Sequence, residues 1–146
     1  MRFDFYHLIN KKISDVLPKL VEKAYDLDKK IKIQTFTEEE VEEINSLLWS
    51  YKDTSFLPHG SKKNGSEKKQ PILISADYKN KNNADFLYLV NGAKYIEDTP
   101  FERVLFIFDA TIEDELEKAR DFYKELKQKD VELNYFQQTE VGWEKK

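Results

Sequence analysis

A chain of 146 residues with 40% hydrophobic and 14% aromatic content is long enough to bury one core and too apolar for a disordered segment. It has no cysteine, no apolar leader in MRFDFYHLIN and no apolar run long enough for a membrane span, so disulfides, thiolate metal sites and membrane insertion are excluded and a cytoplasmic location is expected. The 28 acidic residues outnumber the 24 basic ones, and a net charge of −4 disfavours a general nucleic-acid surface.

Residues 3–8 form a short apolar and aromatic run that predicts a strand. Val16, Leu17, Leu20, Val21, Ala24 and Leu27 then recur at helical spacing, with Ser14 or Asp15 as the cap and Pro18 near the first turn. Residues 31–36 predict a second strand. Thr37 to Glu40 has the Thr-x-x-Glu form that satisfies free backbone donors at both ends, so a second helix starts there. Its apolar face is Val41, Ile44, Leu47 and Leu48, and it runs out near Trp49 or Ser50, before a polar segment at 51–55.

Residues 60–70 (GSKKNGSEKKQ) carry four lysines and no large apolar side chain, which marks a mobile loop within one domain. Three further strands follow at 71–75, 85–90 and 103–108. The last contains VLFIF, apolar at every position as in a strand covered on both faces. A long helix over 112–129 shows Ile112, Leu116, Ala119, Tyr123 and Leu126 on one face, and residues 131–136 close with a strand. Alternating strands and helices predict a single-domain, three-layer α/β/α sandwich. Its sheet is mainly parallel with about six strands, and an antiparallel hairpin is open as a pairing within 71–90.

The turn after the first strand, His7 to Lys12, has no glycine, and Gly60, Gly65, Gly92 and Gly142 form no phosphate-binding motif. A nucleotide-binding enzyme with its cleft near Asn10 and Asp109 is therefore a secondary reading. His7 and His59 lie in no zinc motif. Asp109 is the best single candidate for an acid or base, but a capping role with Thr111 and Asp114 accounts for it without a substrate. No cofactor is expected.

Two features stand out. LLWSYKDTSFLPHG sets Trp49, Tyr51, Phe56 and His59 at a helix end and the loop beyond it, either as a cover over the core or as an aromatic binding platform. Arg120, Lys124 and Lys127 form a basic stripe beside Tyr123, which the helix dipole alone also favours. Direct single-strand binding through the lysine loop and aromatics is a third reading, against which the net acidity stands.

LLWSYKDTSFLPHG resembles the L-W-x-x-x-x-x-S-F-[LV]-P-H pattern of the DNA polymerase III chi subunit family. ARDFYK and the ending NYFQQTEVGWEKK resemble the same family. The resemblance implies an accessory subunit without catalytic activity. Such a subunit binds the acidic, Phe-terminated C-terminal tail of the single-stranded-DNA-binding protein and links it to the clamp loader, through a psi subunit where one exists. Carried over by position, the tail site comprises Trp49, Arg120, Tyr123 and Lys124, with Trp49 and Tyr123 walling an apolar pocket where the second helix meets the last. Some family members carry a further basic residue one turn before Arg120, where this chain has Leu116.

Overall fold

A computed structural model of the chain describes residues 1–51, 57–96 and 100–146. Its regular elements are β1 (Arg2–Leu8), α1 (Ile13–Asp26), β2 (Ile31–Gln34), α2 (Glu38–Trp49), β3 (Ile72–Ser75), β4 (Phe86–Leu89), β5 (Arg103–Asp109), α3 (Glu113–Lys127), β6 (Glu132–Gln138) and β7 (Trp143–Lys145). The strands form one seven-stranded sheet in the order β3-β2-β4-β5-β1-β6-β7. Most of the polar segment expected after the second helix falls on residues 52–56, outside the described residues, as does Phe56.

The hydrophobic pattern sorts the helices onto two faces. Along β1, Tyr6 and Leu8 pack with Val16, Leu17, Leu20 and Val21 of α1 and with Val41, Ile44 and Leu48 of α2. The alternate residues Phe3 and Phe5 pack with Ala119 and Leu126 of α3. β5 divides likewise, Leu105 and Ile107 to one face and Val104, Phe106 and Phe108 to the other. Both of its faces are therefore covered, which is why it reads as an unbroken apolar run. The result is the expected α/β/α sandwich.

Strand pairing departs from expectation in two places. β3 and β4 do not form a hairpin; each pairs parallel with β2. The antiparallel pair is β6 with β7, a seventh strand absent from the sequence reading. Its turn is closed by the Thr139 N–H to the Gly142 carbonyl at 2.8 Å and the Gly142 N–H to the Thr139 hydroxyl at 3.0 Å.

Helix starts follow local chemistry. Thr37 caps α2 as expected: its N–H donates to Glu40 at 2.7 Å, and its hydroxyl accepts the Glu40 N–H at 3.4 Å. α1 begins earlier than expected, at Ile13, with Asp15 accepting the Lys12 N–H at 3.1 Å, so Pro18 lies inside the helix and not in its first turn. The Thr111–Asp114 capping box does not form: Ile112 is the N-cap of α3, and the Asp109 carboxylate accepts both the N–H and the hydroxyl of Thr111. The lysine-rich segment contains two short 3₁₀ turns, and Lys62 and Lys63 meet Glu38 and Glu42 of α2 at 3.3 and 3.4 Å.

Candidate functional site: a basic-rimmed aromatic cavity under the last helix

Residues three and four apart on a helix share a face, so Arg120, Tyr123 and Lys124 stand together on α3. Beneath them is a cavity of about 220 Å³ lined also by His7, Phe108, Leu116, Ala119 and Tyr135. Its aromatic walls are locked by edge contacts, with Tyr123 perpendicular to Tyr135 at 5.6 Å and edge-on to Phe5 at 5.3 Å. The Tyr135 hydroxyl is hydrogen-bonded to Nδ1 of His7, and the Lys127 ammonium sits 5.3 Å from the Tyr123 ring centre. Rings held this way lose little freedom when a ligand enters, which lowers the entropic cost of binding.

The electrostatics favour an anion at the rim. Burial, and after it the Arg120 charge, holds His7 below its ordinary pKa. Burial, with Tyr123 adding to it, raises the Tyr135 hydroxyl against an opposing pull from Arg120. Among the described residues neither Arg120 nor Lys124 is in an ion pair. The site thus combines an apolar slot with two cations that no carboxylate of the described chain neutralises.

The expected pocket wall formed by Trp49 is corrected. Trp49 ends α2, whose buried residues lie on the Tyr6 and Leu8 face of the sheet, whereas Tyr123 belongs to α3 on the Phe3 and Phe5 face. The reason is topological. The β2-α2-β3 and β5-α3-β6 crossovers travel in opposite directions along the sheet, and a common right-handed crossover sets their helices on opposite faces. Trp49 is 57% exposed and packs against His59 at 4.7 Å between ring centres. His59 Nδ1–H donates to the Leu57 carbonyl at 2.5 Å.

His7, Phe108, Leu116 and Tyr135 were missed as site residues. Leu116 supplies an apolar wall where the resemblance offered a cation. Tyr135 was legible only as one face of a strand whose neighbours were unknown.

The nucleotide reading finds no support at the β1 turn. The N–H groups of Ile9, Asn10 and Lys11, which could cradle a phosphate, all donate to the Gln138 side-chain oxygen at 3.0 Å. Asp109 lines a cavity of about 390 Å³ with Thr111 and Glu115, between the carboxyl ends of β1 and β5. Its carboxylate is taken up by Thr111. Burial first, and then the charges of Asp109 and Glu40, raise Glu115 above the usual carboxylate range against the Asp109 N–H that it accepts. Among the described residues no group of three or more His, Asp or Glu is placed to hold a metal, and no helix is long and apolar enough to cross a membrane.

Comparison with known proteins agrees with the motifs. A family model described as "DNA polymerase III chi subunit, HolC" matches residues 1–134. A protein of Rickettsia prowazekii (strain Madrid E), described as "Probable DNA polymerase III subunit chi", is 29% identical over 135 residues, covering 92% of this chain and 79% of that protein.

Proposed function

Because the chain belongs to the DNA polymerase III chi subunit family, we propose that it is an accessory, binding subunit that holds the acidic C-terminal tail of the single-stranded-DNA-binding protein in the cavity under α3. The observation that carries this reading is the pairing of that apolar slot with Arg120 and Lys124 at its rim. A terminal Phe ring leaves water in the slot while the guanidinium and ammonium groups meet the terminal carboxylate and neighbouring Asp side chains. Burying the ring contributes about 1.5 to 3 kcal/mol. Each charge-assisted hydrogen bond adds about 1.5 to 3 kcal/mol, and after ordering costs the affinity is of the order of micromolar.

A tether needs two separable contacts. The α3 cavity and the exposed Trp49 beside His59 lie on opposite faces of the sheet, so a tail on one face leaves the other open to the clamp loader, through a psi subunit where one exists. The test is fluorescence anisotropy with a short labelled acidic peptide ending in Phe. Binding is expected at low ionic strength, weakening as salt is added, with a loss of tenfold or more, about 1.4 kcal/mol, when the terminal Phe is removed. No binding at low ionic strength would end the proposal.

A pH dependence follows from His7. Burial is the larger cause that holds the His7 pKa down and the Arg120 charge the smaller. Bound carboxylates cancel part of the Arg120 field, so His7 takes a proton more readily in the complex than in the free protein. Binding then strengthens as pH falls through the imidazole range, until the peptide's own carboxylates protonate. The affinity is expected to rise, by less than about tenfold, between about pH 7.5 and about pH 5.5, and His7→Gln is expected to flatten that rise. A level or falling affinity in the unaltered protein would contradict it.

A further inference from the structure

α1 covers only part of its face of the sheet, and the exposed side between α1 and the β6–β7 pair is a groove. Two cavities lie in it, of about 240 and 290 Å³, and they share Leu20, Lys23 and Trp143. The second is floored by Tyr6, stacked on Phe136 at 5.1 Å and met edge-on by Trp143 at 5.0 Å. Apolar side chains stand open at both cavities, Val141 at the first and Leu27, 65% exposed, at the second.

One wall is charged. Asp15, Lys19, Lys23 and Leu27 follow at four-residue intervals along one edge of α1, a row of about 18 Å. With Lys11 they place three ammonium groups on the groove. Two carboxylates share the groove: Asp15, at the head of that row, which accepts the Lys12 N–H, and Glu140 from the turn after β6. Among the described residues none of Lys11, Lys19 and Lys23 is in an ion pair. Three ammonium groups against two carboxylates leave this wall net positive, and an apolar slot beside it is complementary to an extended acidic segment with one apolar anchor; about five extended residues match its length.

We propose that this groove binds an acidic segment of a partner protein, laid along α1 with its apolar anchor over Tyr6, Phe136 and Trp143. A polypeptide suits it better than single-stranded nucleic acid. Tyr6 is buried and Trp143 meets it edge-on, so the floor is a slot and not a row of open ring faces on which successive bases stack.

The experiment measures binding of a labelled acidic peptide with a single central Leu, amidated at its C-terminus so that no terminal carboxylate is offered. The full chain is compared with Lys19→Glu/Lys23→Glu and with Arg120→Glu. Lys19 and Lys23 are exposed, so the fold is expected to survive; the neutral pair Lys19→Gln/Lys23→Gln serves if circular dichroism shows otherwise. The expected result is a loss of about tenfold in the double variant and a smaller loss in Arg120→Glu. No binding at low ionic strength, equal binding to the double variant, or a loss confined to Arg120→Glu overturns the proposal, the last assigning the peptide to the α3 cavity. Displacement by oligodeoxythymidylate that itself binds more tightly through the same lysines also overturns it, in favour of nucleic acid.

Discussion

Asp4→Ala is expected to lower the unfolding free energy by about 3 to 5 kcal/mol, read as a shifted urea midpoint with little change in slope. Asp4 is fully buried in β1, an interior strand flanked by β5 and β6. Its carboxylate accepts from Arg2 at 2.9 Å, from Arg103 of the adjacent β5 at 2.5 Å, and from the Asn134 amide of β6 on the other side at 2.9 Å. The same Arg103 reaches the Tyr6 hydroxyl at 2.9 Å. One carboxylate thus joins three neighbouring strands. Truncating it leaves the largely buried Asn134 amide without that acceptor and Arg103 without its counter-ion. Arg2 and Arg103 are partly exposed, so water relieves some of the cost and the lower end of the range is expected. Asp4→Asn, which keeps one acceptor oxygen, is expected to lose less. A loss below about 1 kcal/mol in Asp4→Ala would show that the network contributes little to the fold.

Arg120→Glu is expected to weaken binding of a Phe-terminated acidic peptide by about a hundredfold, or about 2.7 kcal/mol. The side chain is exposed on α3, so its replacement removes no core packing and thermal stability is expected to change little. Charge reversal acts twice: the terminal carboxylate loses its guanidinium, and a like charge meets the tail at the mouth of the slot. Removing the Arg120 field also relieves His7, whose pKa is expected to rise toward its ordinary value in an NMR titration. A change in affinity of less than about threefold would show that Arg120 does not contact the tail.

Much of the architecture was legible because local chemistry decides it. The Thr37–Glu40 pair fixes the start of α2, the unbroken VLFIF run marks β5 as buried on both faces, and the spacing of Leu116, Ala119, Tyr123 and Leu126 sets the inner face of α3. Strand order was not legible, and the misplaced residues trace to it. Trp49 and Tyr123 each end up near a surface, but whether two helices share a face depends on the direction in which their crossovers travel. Periodicity carries no sign of that direction. Asp4 is the same case: RFDFY reads as an apolar strand interrupted by an acid, and its partners become visible only once β5 and β6 are known to flank β1. β7 escaped notice because a three-residue strand after a tight turn has no period to detect.

The measurement that tests the tail site most directly is a chemical-shift titration of the labelled protein with the Phe-terminated acidic peptide. The largest shifts are expected at Leu116, Arg120, Tyr123, Lys124 and Tyr135, with Trp49 and His59 unmoved across the sheet. Shifts centred on Trp49 and His59, with the residues of α3 unchanged, would contradict the assignment of the tail to this cavity.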